Sequence, residues 1–551
     1  MGLAGLADRA EVCPPPLFPS AILNAKVPAM LDLDDNGLRT ALMARAAEGQ
    51  DALDRMGALD DDAAAPFISL ADETRRAGRP DIAVRLLESL TARMANSQET
   101  GPRLALAYRD VQDLAAADTI LTRLVGTQHA DQTLLFVHAQ TRYERGLPAA
   151  ALFERALAIA PDHLDILRNY ALALASEAQA EESVRRLSGA LSVRPEWVDG
   201  HSALAMIRWA SGQTKAFTDS IRSACTARPR DWALWSTWFG LRVQARDWRG
   251  AEEVLDAAEK ALGQTAPITA CRFVLATESG DYTHAELLFQ STHTVQGETL
   301  NLARVRHLLR TGRIEHAHNV AIAQLQGPGA GAFWPYASLI WRLLSDPRAE
   351  WLDRTQCLVR AFDNAIPAED MAELSGALRR LHANGTQYLE QSIRDGTQTD
   401  RSILLRAEPI FERIRRSWMA TLRCYIDDLP ARERLHPLLG RDRTELQIAG
   451  SWSVRLSPGG HNVPHTHPMG WISSVLYVEI PEGPDAAGAP EGSLVFGVPP
   501  DDLGLTLGPV GMLAPKPGQI VAFPSTTWHS TVPVRESERM VIALDLKPPR
   551  Y

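Results

Sequence analysis

Cysteine is scarce. Five residues in a chain of 551, Cys13, Cys225, Cys271, Cys357 and Cys424, stand far apart with no CxxC and no paired spacing. That excludes a disulfide framework and a zinc ribbon, and it fits a reducing compartment. Long apolar runs are also missing: no stretch of eighteen exists, so no membrane-spanning helix is expected. The opening Met1-Gly2-Leu3-Ala4-Gly5-Leu6-Ala7-Asp8-Arg9 is too short, and too soon broken by charge, for a signal peptide. Leu6 stands where a myristoylation signal needs Ser or Thr. Basic residues are not in excess, because the formal net charge is -10, so nucleic acid is not the expected partner. These absences leave the cytoplasm as the default location. What is present, 45% hydrophobic and 23% charged residues, is ordinary for a globular protein long enough for more than one domain.

The first half is periodic. Pro161, Pro195 and Pro229 fall 34 residues apart, each just before an apolar-periodic segment. Ala83, Ala117, Ala149, Ser183, Phe217, Ala251, Ala285 and Ala317 form a second register, at intervals of 34, 32, 34, 34, 34, 34 and 32. Glycine turn signals precede many of them, at Gly78, Gly146, Gly212, Gly280 and Gly312. A helix pair cannot bury its apolar face alone, so such pairs must stack. The period resembles the tetratricopeptide repeat, best at Ala149, Phe153, Ala156 and Pro161; most repeats lack the early Trp and the Gly-Tyr pair. An α-solenoid over about residues 61–345 is expected, its first helices lining a concave surface for an extended peptide or a partner's terminus, and the repeats could equally dimerise the protein. Residues 1–60, with Pro14-Pro15-Pro16 and Asp32-Leu33-Asp34-Asp35, read as a lead-in. Trp232, Trp235, Trp238 and Trp248 crowd one repeat, as core filling or, less expectedly, as binding anchors.

The character changes after Gly327-Pro328-Gly329-Ala330-Gly331. A domain over 346–551 is expected, with a helical lead-in over 346–440 and a β-rich core over 441–551. Candidate strands are Trp452–Leu456, Ile472–Glu479, Ser493–Val498, Gln519–Phe523 and Arg539–Leu546, separated by Gly/Pro-rich connections. They predict a double-sheet jelly roll or cupin-type barrel, whose mouth suits a metal and a small acid. His465 and His467 are one residue apart, so on a strand they share a face. His529 lies 62 residues after His467, and Arg539 ten further on. Imidazoles suit Fe, Zn, Cu and Ni, and a guanidinium holds a carboxylate bidentately.

The ordered segments Trp452-Ser453-Val454, Pro458-Gly459-Gly460, His465-Thr466-His467-Pro468, Trp471 to Val478, Gly492 to Phe496, Pro517-Gly518, Phe523-Pro524-Ser525, His529 and Arg539 together resemble the 2-oxoglutarate/Fe(II) oxygenases. The likeness also reaches Gln391 to Thr399 and covers about a third of the chain. It implies a double-stranded β-helix, with Fe(II) held by His465, His467 and His529. It also implies 2-oxoglutarate whose distal carboxylate pairs with Arg539. The usual ligand set is two histidines and a carboxylate. Here His467 stands at the carboxylate position, so either the site holds three histidines, or a further acid completes it, or the metal function is altered; Glu479, twelve residues on, ranks below His467. Many relatives place a Ser or Thr where Val541 stands, so Tyr477 or Ser473 is expected to supply that hydroxyl.

The expected function is therefore an Fe(II)- and 2-oxoglutarate-dependent dioxygenase, a hydroxylase acting on a peptide or protein recruited by the repeats. Two alternatives stand beside it. One is a cupin-like metal enzyme without 2-oxoglutarate, suggested by Gly459 five residues before the His465 pair, although the later glutamate of that signature is missing. The other is a non-enzymatic repeat scaffold carrying a degenerate barrel.

Overall fold

A computed structural model describes residues 35–94, 99–126, 130–292, 295–383, 389, 392–481 and 490–549. Cys13, the triple proline, most of the acidic stretch and Gln391 lie outside them. The described residues form two compact units, one within 35–182 together with 405–407, the other within 183–404 and 408–549.

The first unit is a succession of helices in which each packs on the next, from Asp61–Arg76 and Pro80–Arg93 to Leu164–Ser176. Within the stretch read as a lead-in, Asp35–Arg55 is also helical, and its Ala46 and Leu53 join the core of Ile68, Leu86 and Leu87. The second unit opens with the same arrangement, ending in the helices Glu298–Arg310, Ile314–Ile322 and Ala330–Leu343.

The small-residue register and its turn signals have a structural cause. All eight residues of that register are at most 2% exposed, six of them on the fourth position of a helix, where a small side chain lets the neighbouring helix approach. Phe217 is the bulky member, and its helix starts only two residues later, at Asp219. Each turn before the second helix needs one left-handed residue. It recurs at Gly78, Gln112, Gly146, Ala178, Gly212, Arg246, Gly280 and Gly312, the non-glycines holding φ of 62, 60 and 52°. Three repeats therefore lack the glycine signal although the backbone geometry persists. The crowded tryptophans fill the core: Trp235 and Trp238 stack at 5.8 Å in a cluster with Phe217, Phe239 and Leu255, and Trp232 and Trp248 pack against it.

Among the described residues, the rest of the second unit contains nine strands: β1 Arg360–Phe362, β2 Ile393–Gln398, β3 Ile448–Asn462, β4 Ile472–Glu479, β5 Leu494–Phe496, β6 Gly511–Leu513, β7 Ile520–Pro524, β8 His529–Thr531 and β9 Arg539–Leu546. They form two antiparallel sheets, ordered β1-β7-β4-β9-β3-β2 and β6-β5-β8. Two short strands lie within the stretch expected as a largely helical lead-in. β1 and β2 come from that region and complete the edges of the larger sheet, and both are too short or too polar to carry a strand pattern.

One face of the larger sheet packs on the helices Ala368–His382 and Pro409–Asp427, where Trp418 Nε1 donates to Ser474 Oγ at 2.9 Å. Its other face, with Trp452, Val454, Val475, Tyr477, Val521, Phe523 and Val541, shares an apolar core with Leu494 and Phe496 of the smaller sheet. Burial on both faces is why β4, β7 and β9 read as almost unbroken apolar runs.

Candidate metal centre

The topology brings His465 and His529 together through the backbone itself. Each donates its N–H to the other's carbonyl at 3.0 Å, forming a bridge between the segment after β3 and the start of β8. His467 N–H donates to Ser525 O at 2.9 Å, which ties the same segment to the end of β7. The pair His465 and His467 thus lies beyond the end of β3 rather than within a strand, yet their rings converge. Ring centres are 4.2 Å apart for His465 and His529, 5.0 Å for His467 and His529, and 5.2 Å for His465 and His467. The three offer one ligand atom each, all within 4.8 Å of one another.

Their outward nitrogens fix which atoms face inward. His465 Nδ1 lies 2.8 Å from Val463 O and His529 Nδ1 lies 3.0 Å from Thr527 O. A carbonyl only accepts, so both Nδ1 atoms carry the proton and both Nε2 atoms carry a lone pair. His467 Nδ1 lies 2.7 Å from the Asp545 carboxylate, and its Nε2 is buried without a hydrogen-bond partner. Burial, helped by the neighbouring His467, pushes His465 down to about 3, and burial with both neighbours holds His529 well below its ordinary value. These two rings are therefore neutral near pH 7, the form a metal requires. Neutral imidazoles around an orphaned, buried nitrogen suit a divalent transition metal such as iron.

Arg539 opens β9 and is 2% exposed. Among the described residues no carboxylate pairs with it, and its Nε has no hydrogen-bond partner. The Tyr477 hydroxyl is likewise unpartnered, and the guanidinium carbon sits 5.2 Å from the centre of the Tyr477 ring. Desolvation lowers the Arg539 pKa against the opposing influence of Tyr477, and it raises that of Tyr477. Register connects the two ends of the site. Ser473 opposes Asp545 and Tyr477 opposes Val541 across β4 and β9, so Ser473, Tyr477, Arg539 and Asp545 share the inner face. Ser473 to Tyr477 is four residues, roughly 13 Å along the strand. An anion with a second functional group can therefore reach from the arginine towards the histidines.

Ser473 takes a different place from the one the sequence suggests, whereas Glu479 keeps the lower rank the sequence gives it. Ser473 Oγ donates to Asp545 Oδ1 at 2.7 Å and lies 3.0 Å from both His467 Nδ1 and Ser525 Oγ, so it serves the histidine end and not Arg539. Glu479 bonds Arg379 and Ser375 on the covering helix, away from the histidines. Three further residues contribute without having been assigned a role from the sequence: Asp545, Ser525 and Gly331. Asp545 does leave a signal, as a lone acid in the run Met540-Val541-Ile542-Ala543-Leu544-Asp545-Leu546, four residues from Val541 on the same strand face. Gly331 leaves none, since only the fold sets it against Pro468.

Two facing antiparallel sheets hold three converging imidazoles, a set able to take a metal ion, and a buried arginine on the same inner face. Residues 450–545 match the family described as "Putative 2OG-Fe(II) oxygenase". The chain thus carries a 2OG-Fe(II) oxygenase domain at its C-terminus, with Fe(II) and 2-oxoglutarate as cofactors, after a region of helical repeats. No curated protein is similar to it in sequence at a significant level. Among solved structures, a Pseudomonas putida prolyl-4-hydroxylase is 18% identical, with 36% of this chain and 97% of that one covered and a TM-score of 0.26. A Burkholderia pseudomallei oxidoreductase of the 2OG-Fe(II) oxygenase family is 16% identical over 37% and 89%, with a TM-score of 0.24. A tetratricopeptide repeat protein from Parabacteroides merdae is 17% identical over 43% and 98%, with a TM-score of 0.29.

Proposed function

We propose that the protein is an Fe(II)- and 2-oxoglutarate-dependent dioxygenase, a hydroxylase acting on a peptide or protein. The observation that carries this reading is the buried Arg539, which has no acid partner among the described residues and shares the inner face of β4 and β9 with the histidine end of the site. A desolvated guanidinium is costly unless an anion meets it, and 2-oxoglutarate brings a distal carboxylate of the right charge. The same observation favours this reading over a cupin-like enzyme without 2-oxoglutarate, which has no use for that cation, and over a degenerate scaffold.

In this reading His465, His467 and His529 hold Fe(II) through Nε2, and Arg539 with the Tyr477 hydroxyl holds the distal carboxylate. Ser473 orients His467 instead of touching the cosubstrate. When bound, the iron and 2-oxoglutarate supply an oxidation in which O2 is divided between succinate, formed with loss of CO2, and the hydroxylated product. The apolar walls, Trp452, Val475, Phe496 and Phe523, exclude water around the reacting groups. The sheets then form a double-stranded β-helix over 441–551, with the repeats of 61–345 raising the local concentration of substrate or pairing two copies of the chain. A cytoplasmic location agrees with four unbonded cysteines and with the lack of any membrane-spanning helix among the described residues.

The test is succinate formation from 2-oxoglutarate, with and without O2, in the full-length protein and in His529→Ala. Metal-dependent, O2-dependent succinate that disappears in the variant is expected. Iron-loaded protein that neither binds nor consumes 2-oxoglutarate would sink the proposal.

A further inference from the structure

Three imidazoles bring no negative charge to a divalent metal, whereas the usual set of two histidines and a carboxylate brings one. A carboxylate nevertheless stands directly behind one of the rings. His465 and His529 are each backed by a neutral backbone carbonyl, but His467 is backed by Asp545 at 2.7 Å. Asp545 is 9% exposed, and His467 is its one ion-pair partner among the described residues. Its position is closely set. It opposes Ser473 on the central strands β4 and β9, accepts the Ser473 hydroxyl proton at 2.7 Å, and is steadied through Ser473 by Ser525. A Cβ on Gly470 would come 2.5 Å from Ser525 Oγ, so the turn carrying His467 is packed against the same group.

We infer that His467 and Asp545 act as one charged unit, in which the carboxylate expected in contact with the metal has moved one ring outward. The imidazole supplies the ligand atom and Asp545 supplies the charge through Nδ1–H, strengthening the lone pair on Nε2. Asp545 is thus a positioning residue for the metal. This rests on the reading that the three histidines hold it.

A relocated charge makes a prediction that a merely structural carboxylate does not. Replacing Asp545 by the isosteric Asn removes the charge and lowers metal affinity by roughly 10- to 100-fold. Replacing His467 by Asp restores the common ligand type but sets two carboxylates side by side, so it too lowers affinity. Combining them leaves one charge in the ordinary place, and the double variant binds metal within about tenfold of the parent, far better than independent losses would allow. Affinity is measured by anaerobic Co(II) titration of the full-length protein without 2-oxoglutarate, followed by the visible Co(II) spectrum, with thermal melts confirming that each variant is folded. Losses that simply add in the double variant, or an unaffected Asp545→Asn, overturn the inference. If His465→Ala and His529→Ala leave Co(II) affinity unchanged, the metal-centre reading itself fails. If those two abolish binding while Asp545 and His467 do not interact, only the relocated charge fails. Should Asp545→Asn unfold, Ser473→Ala, which loosens Asp545 without removing it, is combined with His467→Asp instead: a loss of affinity that shrinks in that double variant is expected, and losses that add overturn the inference.

Discussion

At the scale of single residues, Arg539 is the point where the stability of the fold and the proposed function conflict. Removing water from a guanidinium without giving it an acid destabilises the fold, and an apolar group of similar length often does better at such a site. Arg539→Met is therefore expected to raise the melting temperature of the protein without cosubstrate. It should also weaken 2-oxoglutarate binding at least 100-fold, about 2.7 kcal/mol. Melts with and without 2-oxoglutarate, in the presence of Zn(II), check both effects at once. The parent should gain stability from the ligand and the variant should not. A variant that melts lower and still responds to 2-oxoglutarate argues that Arg539 is a structural cation with a partner elsewhere. Tyr477 is a milder case, because its ring packs in the core whatever its hydroxyl does.

At the scale of elements, the helix Ala330–Leu343 stands out because it supports the histidine segments from outside the sheets. Trp528 Nε1, beside His529, donates to Pro335 O at 3.0 Å, and Tyr336 packs edge-on against Trp528 at 5.5 Å. Arg342 donates to Gly497 O and Gly508 O, clamping the two ends of the connection between β5 and β6. Near its first turn a Cβ on Gly331 would meet Pro468 O at 2.0 Å, one residue past His467. Backbone cannot yield as a flexible side chain can, so Gly331→Ala should move the His467 turn. Such overpacking costs about 1–3 kcal/mol. Weaker Co(II) binding and a lower melting temperature are expected together. Unchanged metal affinity in a folded Gly331→Ala protein shows that the helix does not set the ligand geometry. The glycine-rich stretch that reads as a break between domains is thus, at its end, a close contact with the site.

At the scale of the whole molecule, the later repeats and the β-domain share one apolar core in the second unit. Val305, Phe333, Trp334 and Trp341 on the repeat side cluster there with Leu503 and Trp528 of the β-domain. The same unit stores several neutral histidines. Burial lowers His382 and His436 from the ordinary 6.5 to about 4, and His465 to about 3. Below pH 6.5 the unfolded chain takes up protons that the folded chain refuses, so stability is fully present above 6.5 and is lost as pH falls towards these lowered values. His382, held between Thr397 Oγ1 and Ser453 Oγ at 2.8 and 2.9 Å, should alone account for on the order of 3 kcal/mol between pH 6.5 and 4. Denaturant titrations of metal-free protein at pH 7.5, 5.5 and 4.5 should show a steeper loss for the parent than for His382→Asn. Parallel curves would mean that this ring is protonated in the folded state.

The sequence by itself determined the repeating helices, the five main strands and the identity of the four chemical groups His465, His467, His529 and Arg539. Each depends on local rules: a 34-residue period, an alternation of two, and side chains whose chemistry is specific wherever they stand. The left-handed position of each repeat was legible only where it was glycine, because Gln112, Ala178 and Arg246 adopt the same backbone under the constraint of the packed helices. Only the tertiary structure decided what lies next to what. It paired His465 with His529 across 64 residues through one backbone bridge, and added β1 and β2 from a stretch with no strand pattern. It turned Ser473 towards His467 and set Asp545 behind it. Those contacts depend on strand order and register, which distant segments fix jointly, so no local pattern in the chain could announce them.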